Sequence, residues 1–229
     1  MSQATALVPA AGFGTRFHED GPKALVLLAG KPLLVHALER LAASKRVSSA
    51  VIAIPGGCEA QFEAALRKSP LPYVLVEGGV TRRDSVARAF EAADPKDDDA
   101  LVLVHDAARP LVDPLEVKAV VDAADATGAA IAAFSLVETI KRIEAGKIKG
   151  TVPRRDLVAA TTPQVFRAGI LRRGLAKDGG PEATDDAELV ERVGGEVSVV
   201  LTSRWNIKIT YPEDLAWAEG WLARAGVTP

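Results

Sequence analysis

Short apolar runs of strand length alternate with segments of helical period along most of this chain. Residues 4–9, 49–55, 72–77, 100–105 and 129–136 are the strand candidates. Between them, residues 32–44 set Leu33, Leu34, Ala37, Leu38 and Leu41 at helical spacing, a face that should pack on a sheet. Residues 81–93 open with Thr81 and Asp84 in a capping-box arrangement, and residues 114–126 open with a proline suited to a first helical turn. Strands separated by crossover helices are the pattern of βαβ units, so the expected fold class is α/β with a mostly parallel central sheet.

The pattern changes at residues 137–154, VETIKRIEAGKIKGTVPR, where apolar and polar positions alternate on either side of Glu144-Ala145-Gly146. This predicts two strands joined by a tight turn. A lone hairpin is marginal in water, so it should pack either on its own domain or, as we favour, on a second copy of the chain. The remainder returns to α/β, with helices over 166–177, 185–193 and 212–224, a strand near 196–201 and a short strand over 206–210. The chain reads as one domain over residues 1–229 with the hairpin as a subregion.

Composition narrows the class. With 48% hydrophobic and 25% charged residues over 229, the chain falls in the range of globular proteins, and no apolar run approaches the ~20 residues of a membrane span. A net charge of −2 argues against bulk nucleic-acid binding, so any polyanion site must be local. The single cysteine, Cys58, excludes an internal disulfide, and a cytoplasmic location is expected.

Local chemistry gathers at strand ends. In LVPAAGFGTRFHEDGPKAL, residues 7–25, Ala10, Ala11, Gly12 and Gly14 let the backbone approach a ligand and aim N–H groups at an anion, and Arg16 and Lys23 add charge. Phe17 stands where a dinucleotide fingerprint needs its third glycine, and no Gly-Lys-Ser/Thr follows, so neither phosphate-loop pattern fits. LVLVHDAARP, residues 101–110, ends a strand in Asp106, well placed to hold Mg²⁺ together with substrate phosphates. His105 reads as a packed, hydrogen-bonded histidine rather than a base, and His18 and His36 as loop and helix-surface positions. In EGGVTRRDS, residues 77–85, two glycines precede a helix whose N-terminus and Ser85 could take a base or ribose edge. Asp185 with Glu188 makes a helix cap, and Lys208, alternating with Ile207 and Ile209, points away from them toward an anion or water.

In this order the segments PAAGFGTRF, PK, VHDAARP, TPQ, TD and NIK resemble the isoprenoid-pathway cytidylyltransferase family, the 2-C-methyl-D-erythritol 4-phosphate cytidylyltransferases, from about Ala6 to the last helix. The resemblance implies a Rossmann-like nucleotidyltransferase with helices on both faces of the sheet, a homodimer interlocked by the protruding hairpin arm, and one Mg²⁺. It assigns Pro9, Ala10, Ala11, Gly12 and Gly14 to the nucleotide, with Arg16, Lys23 and Lys208 as catalytic cations on the phosphates. Gly79 and Ser85 match positions that contact the nucleoside, while Asp106 serves nucleotide, metal and acceptor. Arg109, Thr139, Arg154, Thr162 and Thr184 match positions around the sugar phosphate, with Thr139 and Arg154 reaching the partner subunit's site.

Two positions depart from that pattern: Val80, where some members carry an acid after the glycine pair, and Trp205, where many carry a polar or acidic residue. The second leaves Asp106 as the only acid expected at Mg²⁺. The implied reaction takes CTP and a polyol phosphate to a cytidylyl product and pyrophosphate. The alternatives are the same chemistry on another acceptor, such as ribitol 5-phosphate, and a non-catalytic nucleotide-binding protein, in which the set Arg16, Lys23, Asp106 and Lys208 should have decayed.

Overall fold

A computed structural model describes residues 2–13, 21–176 and 182–224. In its first half, β1 (Ala4–Pro9), β4 (Val47–Ile54), β5 (Tyr73–Glu77) and β6 (Leu101–Val104) alternate with α1 (Leu33–Ala43), α2 (Glu59–Ala65), α3 (Arg82–Ala93) and α4 (Pro114–Thr127). A small hairpin, β2 (Leu27–Leu28) and β3 (Lys31–Pro32), follows a 3₁₀ turn at Lys23–Leu25. The second half adds β7 (Ala129–Ser135), the hairpin β8 (Ile140–Glu144) and β9 (Lys147–Val152), β10 (Val158–Arg167), α5 (Ala168–Ala176), α6 (Asp186–Glu191), β11 (Ser198–Leu201) and α7 (Pro212–Arg224).

Seven strands form one sheet in the order β11-β7-β10-β6-β1-β4-β5. All neighbours run parallel except those of β10, which is antiparallel to both β6 and β7. Alternation along the strands divides the core. Ala4, Ala6 and Val8 of β1 face one side with Leu34 and Leu38 of α1 and Val117 and Val121 of α4. Leu7 faces the other with Val86 and Phe90 of α3, Leu171 of α5 and Val190 of α6. Both faces are therefore covered, which is why these strands are apolar throughout.

Helices α1, α3 and α4 follow their sequence signals closely, whereas α2 was not anticipated. Thr81 accepts from the Asp84 backbone and Asp84 from that of Thr81, completing the capping box, and Asp113 caps α4 ahead of Pro114.

Several boundaries differ from the sequence reading. The helix expected over 166–177 begins only at Ala168, because Phe166 and Arg167 finish β10, paired to Val102 and Leu101; Lys177 lies outside the described residues. Pro163 conceals that strand in the sequence, yet it falls in the interruption of the β10–β7 ladder between Ala160 and Gln164, so its missing N–H costs no rung there. Residues 206–210 are not a strand; one backbone–backbone bond, from Ile209 N–H to the Ala108 carbonyl at 2.8 Å, ties them to the sheet end in place of a ladder. His36 is not on the surface: it is buried, with Nε2 bonded to the Leu28 carbonyl at 2.8 Å, and burial lowers its pKa. His18 lies outside the described residues. The hairpin forms as expected, turning at Ala145 and Gly146, both at positive φ, and its strands pair with each other.

Candidate active site

The chain moves outward from β1 to β4 and β5, then returns to the other side of β1 as β6. Ligands of open α/β sheets bind at such a reversal, outside the carboxyl ends of the strands. A cleft of about 270 Å³ opens there. It is lined by Pro9–Gly12 beyond β1, Lys23, Gly79–Arg82 and Ser85 around the start of α3, Asp106–Ala108 beyond β6, and Lys208. Two glycines let these walls close. A Cβ at Gly78 would stand 2.5 Å from that of Ala11, and one at Gly79 only 2.1 Å from that of Asp84.

Asp106 is the electrostatic centre of the cleft. Arg82 Nε donates to Oδ1 at 3.0 Å, Lys208 Nζ to Oδ2 at 2.9 Å, and Arg109 Nε lies 3.7 Å from Oδ2. Burial alone would raise this carboxyl, but Arg82, Lys208 and Arg109 outweigh it and hold the group well below the usual carboxylate range. Arg82 also donates through Nη1 to Asp186 Oδ2 at 2.8 Å, so one guanidinium bridges two buried acids. Lys23, Arg82, Arg109 and Lys208 thus stand against Asp106 and Asp186, and the excess is positive.

Beneath Asp106 runs a directional chain of hydrogen bonds. The Asp106 N–H donates to Thr162 Oγ1 at 3.1 Å, Thr162 Oγ1 pairs with His105 Nδ1 at 3.1 Å, and His105 Nε2 meets the Arg109 carbonyl at 3.1 Å. A carbonyl only accepts, so Nε2 carries the proton and Nδ1 accepts from the threonine hydroxyl. Burial brings the His105 pKa down to about 4, so the ring is neutral near pH 7 and serves as a strut. Asn206 completes the frame, donating from Nδ2 to the Thr162 carbonyl at 2.7 Å and accepting Arg109 Nη1 on its own carbonyl at 2.7 Å.

Of the residues expected from sequence, Pro9, Ala10, Ala11, Gly12, Lys23, Gly79, Ser85, Asp106 and Lys208 line this cleft, with Arg109 against Asp106. Gly14 and Arg16 lie outside the described residues. Ser85 accepts from Gly79 N–H and donates to the Thr81 carbonyl, and Thr162 is buried in the chain just described. Thr184 is exposed on an adjoining cleft that shares Arg82 with the first and is lined by Asp186. Thr139 and Arg154 are exposed at the base of the hairpin, where Arg154 Nη1 donates to the Val137 carbonyl.

The sequence reading assigned nothing to Arg82, Asp186, Asn206 or Gln164. Gln164 Oε1 accepts from the backbone of Asp186 and Ala187, fixing the start of α6 so that Asp186 meets Arg82. Arg82 did leave a signal: a cation in a first helical turn opposes the helix dipole and calls for an acidic partner.

Over residues 4–224 the chain matches the model of the family described as 2-C-methyl-D-erythritol 4-phosphate cytidylyltransferase. It belongs to that family. A cytidylyltransferase of that description from Geotalea uraniireducens is 41% identical over 226 residues, 95% of this chain and 96% of its own length. Another, from Rhodopirellula baltica, is 41% identical over 227 residues, 94% and 93% of the two chains. Among solved structures, the 4-diphosphocytidyl-2C-methyl-D-erythritol synthase of Anaerococcus prevotii is similar with a TM-score of 0.84 at 27% identity, covering 97% of this chain and 99% of that one. The Thermus thermophilus cytidylyltransferase gives 0.78 at 37% identity, with the same coverage. As a member of this cytidylyltransferase family the chain is a nucleotidyltransferase, and its cleft lies where a nucleotide sits in open α/β sheets. Among the described residues, no helix is long and apolar enough to cross a membrane.

Proposed function

We propose that this cytidylyltransferase moves a cytidylyl group from CTP to 2-C-methyl-D-erythritol 4-phosphate, giving 4-diphosphocytidyl-2-C-methyl-D-erythritol and pyrophosphate in the non-mevalonate isoprenoid pathway. The observation that carries the reading is the ring of cations about Asp106, opposite the bare backbone of Ala10–Gly12, in a chain of this family. A phosphate monoester is already ionised near pH 7, so its oxygen attacks the α-phosphorus of CTP without a general base. The bond to the bridging α–β oxygen breaks, and pyrophosphate leaves. The obstacle is repulsion between anions, which positioning and fixed positive charge relieve.

In this reading the loop following Pro9, through Gly14, wraps the triphosphate. Lys23, Lys208 and Arg16 stabilise charge on the α-phosphate and the leaving group. Gly79 and Ser85 hold the nucleoside edge, and Arg109, Thr162 and Thr184 the acceptor side. Asp186 Oδ1, buried and without a hydrogen-bond partner among the described residues, is an acceptor that a polyol hydroxyl would satisfy.

The residues fit Mg²⁺ brought by the nucleotide. A carboxylate has about four lone-pair sites, and Arg82 and Lys208 use two at Asp106. Mg²⁺ takes one or two carboxylates and completes its shell with phosphate oxygens and water. Asp106 would hold the ion, which when bound draws charge from the phosphates. Asp106 itself keeps Arg82 and Lys208 aligned.

The hairpin is the proposed dimer arm. Ile143 and Ile148, opposite each other, are 68% and 66% exposed, a surface that a second copy would cover, bringing Thr139 and Arg154 to the neighbouring site. A cytoplasmic location suits a CTP-using enzyme with its one cysteine, Cys58, free and buried.

Pyrophosphate release with Mg²⁺ and CTP, in separate wells holding methylerythritol phosphate, ribitol 5-phosphate and glucose 1-phosphate, tests the proposal. Release with the first alone is expected. Release only with another acceptor would overturn the substrate, and silence in every well would leave a nucleotide-binding protein without this activity.

A further inference from the structure

Residues 202–211 bring Asn206 and Lys208 to the cleft without forming a strand or a helix. Isolated bonds hold the two ends. Thr202 N–H donates to the Ala133 carbonyl at 2.8 Å and Ser203 N–H to Glu116 Oε1 at 2.6 Å. At the far end Asp214 accepts from the backbone of Thr210 and Tyr211 at 2.7 and 2.8 Å. The middle is held by Ile209 N–H on the Ala108 carbonyl at 2.8 Å and, through Asn206, by the bonds to Thr162 and Arg109 at 2.7 Å, and beside these by the packing of one side chain. The Trp205 ring lies 4.7 Å from that of Trp221 and 5.8 Å from that of Trp217, inclined by 23° and 16°. Trp217 and Trp221 stack on each other one turn apart on α7, at 5.8 Å and 8°. All these spacings fall in the range of favourable offset stacking.

The platform under Trp205 is itself anchored. Ala218 and Leu222 of α7 are buried in a small core with Val26, Leu111 and Ile209. Each of those three follows closely on a cation of the site, Lys23, Arg109 or Lys208. The same core therefore registers the chain segments that bring the cations together. Lys208 depends on it most, because its side chain is 44% exposed and has no ladder to hold its backbone.

We infer that Trp205 is a positioning residue for Lys208: by stacking on Trp217 and Trp221 it sets how far the ammonium reaches toward Asp106 and the phosphates. This rests on the role proposed above for Lys208. A cation displaced by a fraction of an ångström to an ångström loses much of its catalytic value, and removing the stack takes away the apolar tether next to Asn206, leaving the Asn206 and Ile209 hydrogen bonds alone to limit such a shift.

The test is a double-mutant cycle on the full chain, reading kcat with CTP, Mg²⁺ and methylerythritol phosphate, and CTP–Mg²⁺ affinity by calorimetry. Trp205→Ala is expected to lower kcat about tenfold, while Trp205→Phe, whose ring still stacks, stays within about twofold of wild type. In the Lys208→Ala background the same Trp205→Ala change should cost less than about twofold. A full tenfold loss in that background would overturn the inference, because Trp205 would then act on the fold rather than through Lys208. So would wild-type rates in the single variant. Should Trp205→Ala fail to fold, Trp217→Ala removes part of the platform from a 39%-exposed position and enters the same cycle, with a several-fold loss expected only when Lys208 is present. If the wild type releases no pyrophosphate with any acceptor, the function proposed above fails. The cycle on CTP affinity still decides the role of Trp205.

Discussion

The cleft receives its charges by two routes. Asp106 stands just beyond the end of β6, an interior strand of the sheet, and its backbone N–H is fixed by Thr162. Lys208 comes from residues 202–211, which have no ladder, and its side chain stays half exposed. A charge taken out of water needs partners that cannot move away, whereas a cation that must meet an incoming phosphate needs access to solvent. The sheet supplies the first condition and the irregular segment the second.

The sharpest way to break this comparison is to remove the anion. Asp106→Ala leaves Arg82 and Arg109 without the carboxylate between them, and the expected loss is about 3–5 kcal/mol in urea unfolding. Lys208→Ala should cost less than about 1 kcal/mol of stability because that cation is well solvated. Equal losses would show that both routes carry structural charge. On the catalytic side, Lys23→Ala should lower kcat by ~10²–10³ with unchanged unfolding. Activity within a few-fold of wild type would remove Lys23 from the proposed role.

The strut under Asp106 predicts a pH dependence. Burial lowers His105 from 6.5 to about 4, so between those values the unfolded chain binds a proton that the folded chain excludes. Stability is then full above pH 6.5 and falls as the pH drops toward 4, by about 3 kcal/mol from this group. His36, also lowered by burial, acts with the same sign. Asp106, held below the usual range, starts to lose its contribution only at lower pH. Asp186, raised by burial, acts with the opposite sign. Melting temperatures from pH 7.5 to 4.5 are therefore compared between the wild type and His105→Gln, and an unchanged pH slope in the variant contradicts a buried, neutral His105. The smallest effect is expected at Thr81→Ala, which removes half of the capping box at α3 and should cost about 1 kcal/mol in thermal unfolding. A much larger loss would mean that the cap also holds Arg82 against Asp106.

Where periodicity, caps and turns agreed, the sequence was legible. The apolar run of β1, the Thr81–Asp84 box and the Ala145-Gly146 turn all act within a few residues, and each was visible. The β2–β3 hairpin was missed although Ala29-Gly30-Lys31 repeats the Ala145-Gly146-Lys147 turn, with the same pair at positive φ. Flanking runs of only two residues gave no strand signal there. β10 was missed because its central proline argues against a strand unless the interruption in its ladder is known. Lys208 was placed correctly for an insufficient reason: extended backbone alternates its side chains whether or not a neighbouring strand pairs with it.

The sequence by itself determined the alternation of the parallel strands with their main crossover helices, the apolar faces and the loop residues able to approach an anion, since these depend on neighbours a few positions apart. The tertiary structure alone decided that Arg82 bridges Asp106 and Asp186, that Thr162 and His105 lock the turn after β6, and that three tryptophans stack beside Lys208. Those contacts join residues up to 104 positions apart. Their energies come from burial and pairing, and neither exists until the sheet has brought its carboxyl ends together.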